Sequence, residues 1–154
     1  VTRYLDHIFD PKIIIYTKIL CHLAYDTLDP ICMILFICRR WKAAGKKVIL
    51  SFGGATMGVS WSQSPNGCWE QCFGKEDSVV SQLNTIVRNQ GFDGVDIDYE
   101  YYYETAAQQS FLTKVTTGLR STLPAGSIVS HAPIDADLLP GKGYYYEALK
   151  SVSS

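Results

Sequence analysis

The stretch Asp93-Gly94-Val95-Asp96-Ile97-Asp98-Tyr99-Glu100 decides how the rest of the chain is read. From Asp96 to Glu100 an acidic residue stands at every second position, and Val95, Ile97 and Tyr99 fill the places between. Side chains of a β-strand alternate between its two faces, so the pattern predicts a strand with three carboxyl groups on one side and an apolar row on the other. Successive carboxyls then lie about 6.6 Å apart, near enough to influence one another's ionisation. Strands ordinarily keep such repulsion out of a sheet, and the row therefore marks a reactive site. Asp93 begins the strand on the opposite parity, where bracing the turn is its expected role.

Working back from this strand, Glu76 to Asn89 carries Val79, Val80, Leu83, Ile86 and Val87 on one side of a predicted helix, with Gly91 as its stop signal. Lys47 to Phe52 (KVILSF) reads as a strong strand ending at Gly53-Gly54. Between them Ala55 to Lys75 reads as a long loop with Trp61, Pro65, Asn66-Gly67 and Trp69, and loops of that length are commonly functional. Further back, Ile31 to Ala44 is helical in pattern and stops at Gly45, while Lys18 to Tyr25 (KILCHLAY) reads as a strand. Lys12 to Tyr16 (KIIIY) also looks like a strand, yet almost nothing separates it from the next one, too little for a parallel crossover.

Working forward, Ala107, Phe111, Val115 and Leu119 recur at spacings of four in a helix expected from about Thr105 to Thr122, ended by Pro124. Ser127 to Ala132 (SIVSHA) is a further strand, and a loop from Pro133 to Gly143 precedes a short helical stretch near Tyr144 to Lys150. This alternation of strands and helices predicts the α/β class, a parallel sheet covered by helices. Whether barrel or open sheet, such folds gather ligands at the carboxyl ends of their strands. Glu100, Gly53-Gly54 and Pro133 all fall at that edge.

Composition narrows the function classes. The chain has 154 residues, 47% hydrophobic and 19% charged, with a formal net charge of -1, which fits one globular domain over residues 1–154. A near-neutral chain offers no broad basic surface to nucleic acid or to an anionic membrane, and neither is expected as a partner. The longest apolar run, Ile31 to Cys38, has eight residues, well short of a bilayer span. Beginning at Val1 without a basic and apolar leader, the sequence reads as a mature or processed product. Cysteines 21, 32, 38, 68 and 72 are odd in number; Cys68 and Cys72 share a turn-rich segment in which a local disulfide is open to them, whereas Cys32 and Cys38 read as buried free thiols. No CxxC spacing is present and His7, His22 and His131 are scattered, so no metal or cofactor is expected.

At this point the residues resemble a known family, the family 18 glycoside hydrolases, which includes chitinases, endo-β-N-acetylglucosaminidases and sugar-binding relatives without catalysis. Two of its motifs stand here: DGxDxDxE as Asp93 to Glu100, and SxGG one strand earlier as Ser51-Phe52-Gly53-Gly54. The resemblance covers residues 46 to 133, and His22-Leu23-Ala24-Tyr25 looks like the family's second strand. It implies a TIM (β/α)8 barrel, a fold that typically needs about 250 residues. After Ser127 to Ala132, read as a fifth strand, about three strand–helix units would be absent, so the resemblance implies an incomplete barrel and a fragment. Secretion is implied by the family only.

The chemistry follows from the row. Breaking a glycosidic bond needs a proton for the leaving oxygen and stabilisation of positive charge on the sugar. Glu100, at the open end of the strand, is the candidate general acid; the charge of Asp98 below it would help it hold its proton, and Asp96 deeper still would share a proton with Asp98. No second carboxylate is placed as a nucleophile. By resemblance the substrate's own 2-acetamido oxygen would attack the anomeric carbon, with Asp98 orienting it, in a substrate-assisted retaining reaction. The implied partner is an N-acetylglucosamine-containing oligo- or polysaccharide, either chitin or the chitobiose core of N-glycans.

Gly53 and Gly54 would allow close approach in a narrow cleft, and Trp61, Trp69 and Tyr101 to Tyr103 would offer flat faces to sugar rings, though packing explains each aromatic equally well. The blander readings are a solvated acidic strand, which leaves Gly53-Gly54 and the apolar opposite face unexplained, and a calcium site, which lacks the EF-hand loop. His131 reads as a packed strand residue. A chitinase-like lectin without turnover is the alternative function, and a storage or structural protein a third.

Overall fold

The computed structural model describes residues 13–17, 38–54, 68–101, 105–133 and 149. Its centre is one sheet of four strands, β1 (Ile13–Thr17), β2 (Lys47–Gly53), β3 (Gly94–Asp98) and β4 (Ile128–His131), all parallel and in that order. The α/β reading holds. Residues 18–46 join β1 to β2, ample for a parallel crossover, and the difficulty seen in the sequence disappears because Ile13–Thr17 pairs directly with Lys47–Gly53. The strand expected at residues 18–25 lies outside the described residues.

Around the sheet stand a helical segment α1 (residues 38–43), then α2 (Cys68–Cys72), α3 (Glu76–Gln90) and α4 (Ala106–Thr122). α3 and α4 match their predicted bounds closely. Gly91 ends α3 in the left-handed conformation, φ 70°, and Leu123, extended ahead of Pro124, ends α4. Thr105 and Gln108 close a capping box at the start of α4, Gln108 N–H donating to Thr105 Oγ1 and Thr105 N–H to Gln108 Oε1. Within the segment read as a loop, α2 is an element the pattern did not reveal. At five residues it is too short to show a helical period.

β2 reads and behaves as a central parallel strand, with every residue from Val48 to Phe52 buried. Leu50, Phe52, Val95, Ile97 and Tyr99 form one core with Trp69 of α2, Val80, Leu83 and Val87 of α3, and Phe111, Leu112, Val115 and Leu119 of α4. Ala107, expected on the buried face of α4, is exposed; Gln108 and Thr116 are buried there instead. Gly118 sets the distance between α3 and α4, since a Cβ there would lie 2.8 Å from Val80 Cγ2. Of the expected final helix only Leu149 is described, and it is helical and buried in the core.

The lower edge of the sheet is tied by Asp93. Its Oδ2 accepts from Val48 N–H at 2.8 Å, and its Oδ1 lies 3.3 Å from Lys42 Nζ and 3.6 Å from Lys47 Nζ. Its backbone N–H and C=O meet Val48 and Ile128. Bracing, the role expected of Asp93, is what it performs. No helix among the described residues is long and apolar enough to cross a membrane.

Candidate active site

Register brings the site together. Ser51 of β2, Asp96 of β3 and Ser130 of β4 are direct lateral partners, so their side chains share one face of the sheet at one level. Val95, Ile97 and Tyr99 point the other way into the helical layer, as the alternation predicts. Asp96 is only 2% exposed and is held from both sides: Ser130 Oγ donates to its Oδ1 at 2.6 Å and Ser51 Oγ to its Oδ2 at 3.4 Å. Burial raises its pKa above the usual 3.8, and the two hydroxyl bonds oppose that rise. A carboxyl so placed takes up a proton more readily than one in water. The serines were the residues sequence reasoning missed, although Ser51 stands in the SxGG motif and Ser130 has the parity of the acidic row.

One level higher, Asp98 pairs with Gly53. The half-buried carboxyl of Asp98 faces Gly54, where a Cβ would lie 3.4 Å from Oδ2. The Asp98 carbonyl accepts from Gly54 N–H at 2.7 Å. Gly53 and Gly54 hold φ of 126° and 93°, conformations that side-chain-bearing residues rarely adopt. At Gly53 that freedom serves the chain's own packing. A Cβ on Gly53 would meet Asp98 O at 2.1 Å and Trp69 Cζ2 at 2.8 Å, so the close approach it permits is between two parts of the chain.

This turn also ends the ladder. β3 stops at Asp98, and Tyr99 and Glu100 lie beyond it, a correction to the strand expected through Glu100. The alternation nevertheless persists for three more residues. Tyr99 and Tyr101 enter the core, leaving Glu100 half-buried between them with the parity of Asp96 and Asp98.

Two of the aromatic residues expected to stack on sugar rings do not. Trp69 is 0% exposed, packed edge-on against Phe52, Tyr99 and Phe111 with ring centroids 5.2, 4.7 and 5.9 Å away. Tyr101 is 8% exposed and its hydroxyl donates to Glu70 Oε1 at 2.8 Å. Tyr101 enters the helical side of the sheet by its parity, and Trp69 stands in that layer as part of α2. Trp61 lies outside the described residues, as do Tyr102 and Tyr103. His131, on the parity of Ile97, packs toward α4 with Nε2 3.2 Å from Thr116 Oγ1. Cys38 is a buried free thiol as expected, and Cys72 is free too, against the local disulfide with Cys68. Helical neighbours four apart hold their Cβ atoms about 5–6 Å apart, wider than a disulfide accepts.

A parallel sheet with helices against one face and a row of acids on the other, rising to the carboxyl edge, defines a class: α/β proteins with a strand-end carboxylate site. Comparison with known proteins narrows that class. No protein-family model matches the chain. It is similar to Endochitinase 37 of Trichoderma harzianum, 29% identical over 111 residues that cover 68% of this chain and 30% of that protein. Endochitinase 4 of Metarhizium anisopliae is likewise 29% identical over 111 residues, 68% of this chain and 36% of its own length. Among solved structures, a GH18 chitinase from Pseudoalteromonas aurantia superposes with a TM-score of 0.57 at 28% identity, over 77% of this chain and 42% of that one. A candidate chitinase A from Streptomyces coelicolor gives 0.62 at 23% identity, over 92% and 48%, a likeness of fold. The chain is chitinase-like, and its resemblance to the family 18 glycoside hydrolases is shown. It spans about a third of the length of the curated relatives it matches.

Proposed function

We propose that the protein is a retaining glycoside hydrolase for β-1,4-linked N-acetylglucosamine, its sheet part of a TIM (β/α)8 barrel and Asp96, Asp98 and Glu100 its catalytic row. The observation that carries this reading is the buried Asp96, clasped by Ser130 and Ser51 directly below Asp98 and Glu100. Glu100 gives its proton to the departing sugar oxygen and later draws one from water. Asp98 accepts the N–H of the substrate's 2-acetamido group and steadies the positive charge as the acetamido oxygen closes on the anomeric carbon. Asp96 serves as the proton partner for Asp98, and the pair titrates together. The likeness to endochitinases supports chitin or chitooligosaccharides ahead of the chitobiose core of N-glycans. The family resemblance carries an extracellular location with this reading.

Release of fluorophore from a chitobioside by the purified protein, set beside Glu100→Gln, tests it. Turnover in the parent and a loss of about a hundredfold or more in Glu100→Gln is the expected result. A glucoside lacking the N-acetyl group should not be cleaved. Saccharide binding with no turnover in either protein overturns the hydrolase and leaves the lectin reading.

A further inference from the structure

Glu100 carries the chemistry proposed above, yet the sheet does not hold it. The ladder ends two residues earlier, at Asp98, and Gly54 N–H takes the Asp98 carbonyl. What fixes the residue is what stands on either side of it. Tyr99 is fully buried, its ring 4.7 Å from that of Trp69, and Tyr101 is nearly so, its ring 6.2 Å from Tyr99 and 6.5 Å from Phe73. Trp69 belongs to α2 and Phe73 follows it directly, so the segment bearing Glu100 is gripped by the neighbourhood of one short helix. Ring contacts resist sideways motion but leave a phenol free to turn or withdraw. A directional bond limits that freedom, the donation from Tyr101 Oη–H to Glu70 Oε1 at 2.8 Å.

We propose that Glu70 is a positioning residue for Glu100, its carboxylate holding the Tyr101 hydroxyl and thereby fixing the segment on which the acid is carried. A bond to a charged acceptor is about twice as strong as one between neutral groups, which suits a strut at the end of a ladder. Nothing in the linear pattern marks Glu70; it emerges only because α2 folds back beside the residue after the acid. Its role in turnover rests on the hydrolase reading, whereas its role as a strut does not.

Three variants in the intact protein separate the two: Tyr101→Phe, Glu70→Ala and Glu70→Gln, the last keeping an acceptor oxygen without charge. Amide hydrogen exchange at Tyr99, Glu100 and Tyr101 should quicken about tenfold or more in Tyr101→Phe and Glu70→Ala, leave Val95 and Ile97 unchanged, and return toward the parent rate in Glu70→Gln. In turnover, kcat should fall about 10- to 100-fold with KM little altered, since a misplacement near 1 Å can cost that much, and Glu70→Gln should recover most of it. Unchanged exchange at residues 99–101 in Tyr101→Phe and Glu70→Ala overturns the strut, whether or not the parent hydrolyses chitobioside. Absence of turnover in the parent with quickened exchange retains the strut and removes the hydrolase.

Discussion

At Gly53 a single missing atom decides how two strands end. Its φ of 126° is one that side-chain-bearing residues rarely adopt, and a Cβ would stand 2.1 Å from the carbonyl oxygen of Asp98. Gly53→Ala therefore cannot be absorbed by a side-chain rotation; the backbone of β2 or β3 must move. We expect a loss of about 3 kcal/mol or more in urea unfolding, with Asp98 displaced in the folded fraction. Asp96 behaves in the contrary sense. Its folded pKa lies above the unfolded value of 3.8, so the native state binds the proton more tightly and its contribution to stability is lost as pH rises through the folded pKa. At neutral pH the ionised group is a burden. Asp96→Asn keeps an oxygen for Ser130 and an N–H₂ for Ser51; it should melt at or above the parent temperature at pH 7 while turnover falls, a separation that calorimetry beside the chitobioside assay will read.

At the scale of elements, α4 shows how far local signals reach. Thr105 and Pro124 mark its ends in the sequence, and the structure adds Gln108, which closes the capping box with Thr105. Thr105→Ala removes the acceptor of the capping box and should cost about 1 kcal/mol, seen as a lower midpoint with an unchanged slope in denaturant. The cores of β2 and β3 were legible for the same reason, because a period of two with Val and Ile at alternate places survives in β3 and the apolar run Val48-Ile49-Leu50 survives in β2. The acidic row itself was legible from parity alone. α2 was not, since five residues hold too little repetition to betray a helix and Trp69 looks the same in sequence whether it stacks on a sugar or on Phe52, Tyr99 and Phe111. Ser130 escaped notice because a serine gains its meaning from the strand beside it, and register between β3 and β4 is a property of the fold.

Across the whole molecule, the sheet separates two titrating groups that respond to acid in opposite directions. Asp96 stands on the serine face, while His131, one register level above it on β4, lies on the face packed against α4. Thr116 spends its hydroxyl proton on Leu112 C=O at 2.7 Å, so its oxygen accepts from His131 Nε2–H and sets the tautomer of the neutral ring. Burial first, and the charge of Arg120 second, lower the His131 pKa from 6.5 to about 4. A group whose folded pKa is depressed lends stability above its unfolded value and surrenders it as pH falls through the folded one, here between 6.5 and about 4. Melting temperature should therefore decline across that window, by an amount on the order of 1–3 kcal/mol in free energy. His131→Gln retains an N–H donor for Thr116 without a titrating ring and should flatten the decline. Asp96→Asn should steepen it, because the raised pKa of the parent's Asp96 makes the folded state gain from acid where His131 loses. Parallel acid profiles for the parent and both variants would mean that neither group senses the fold as its burial requires.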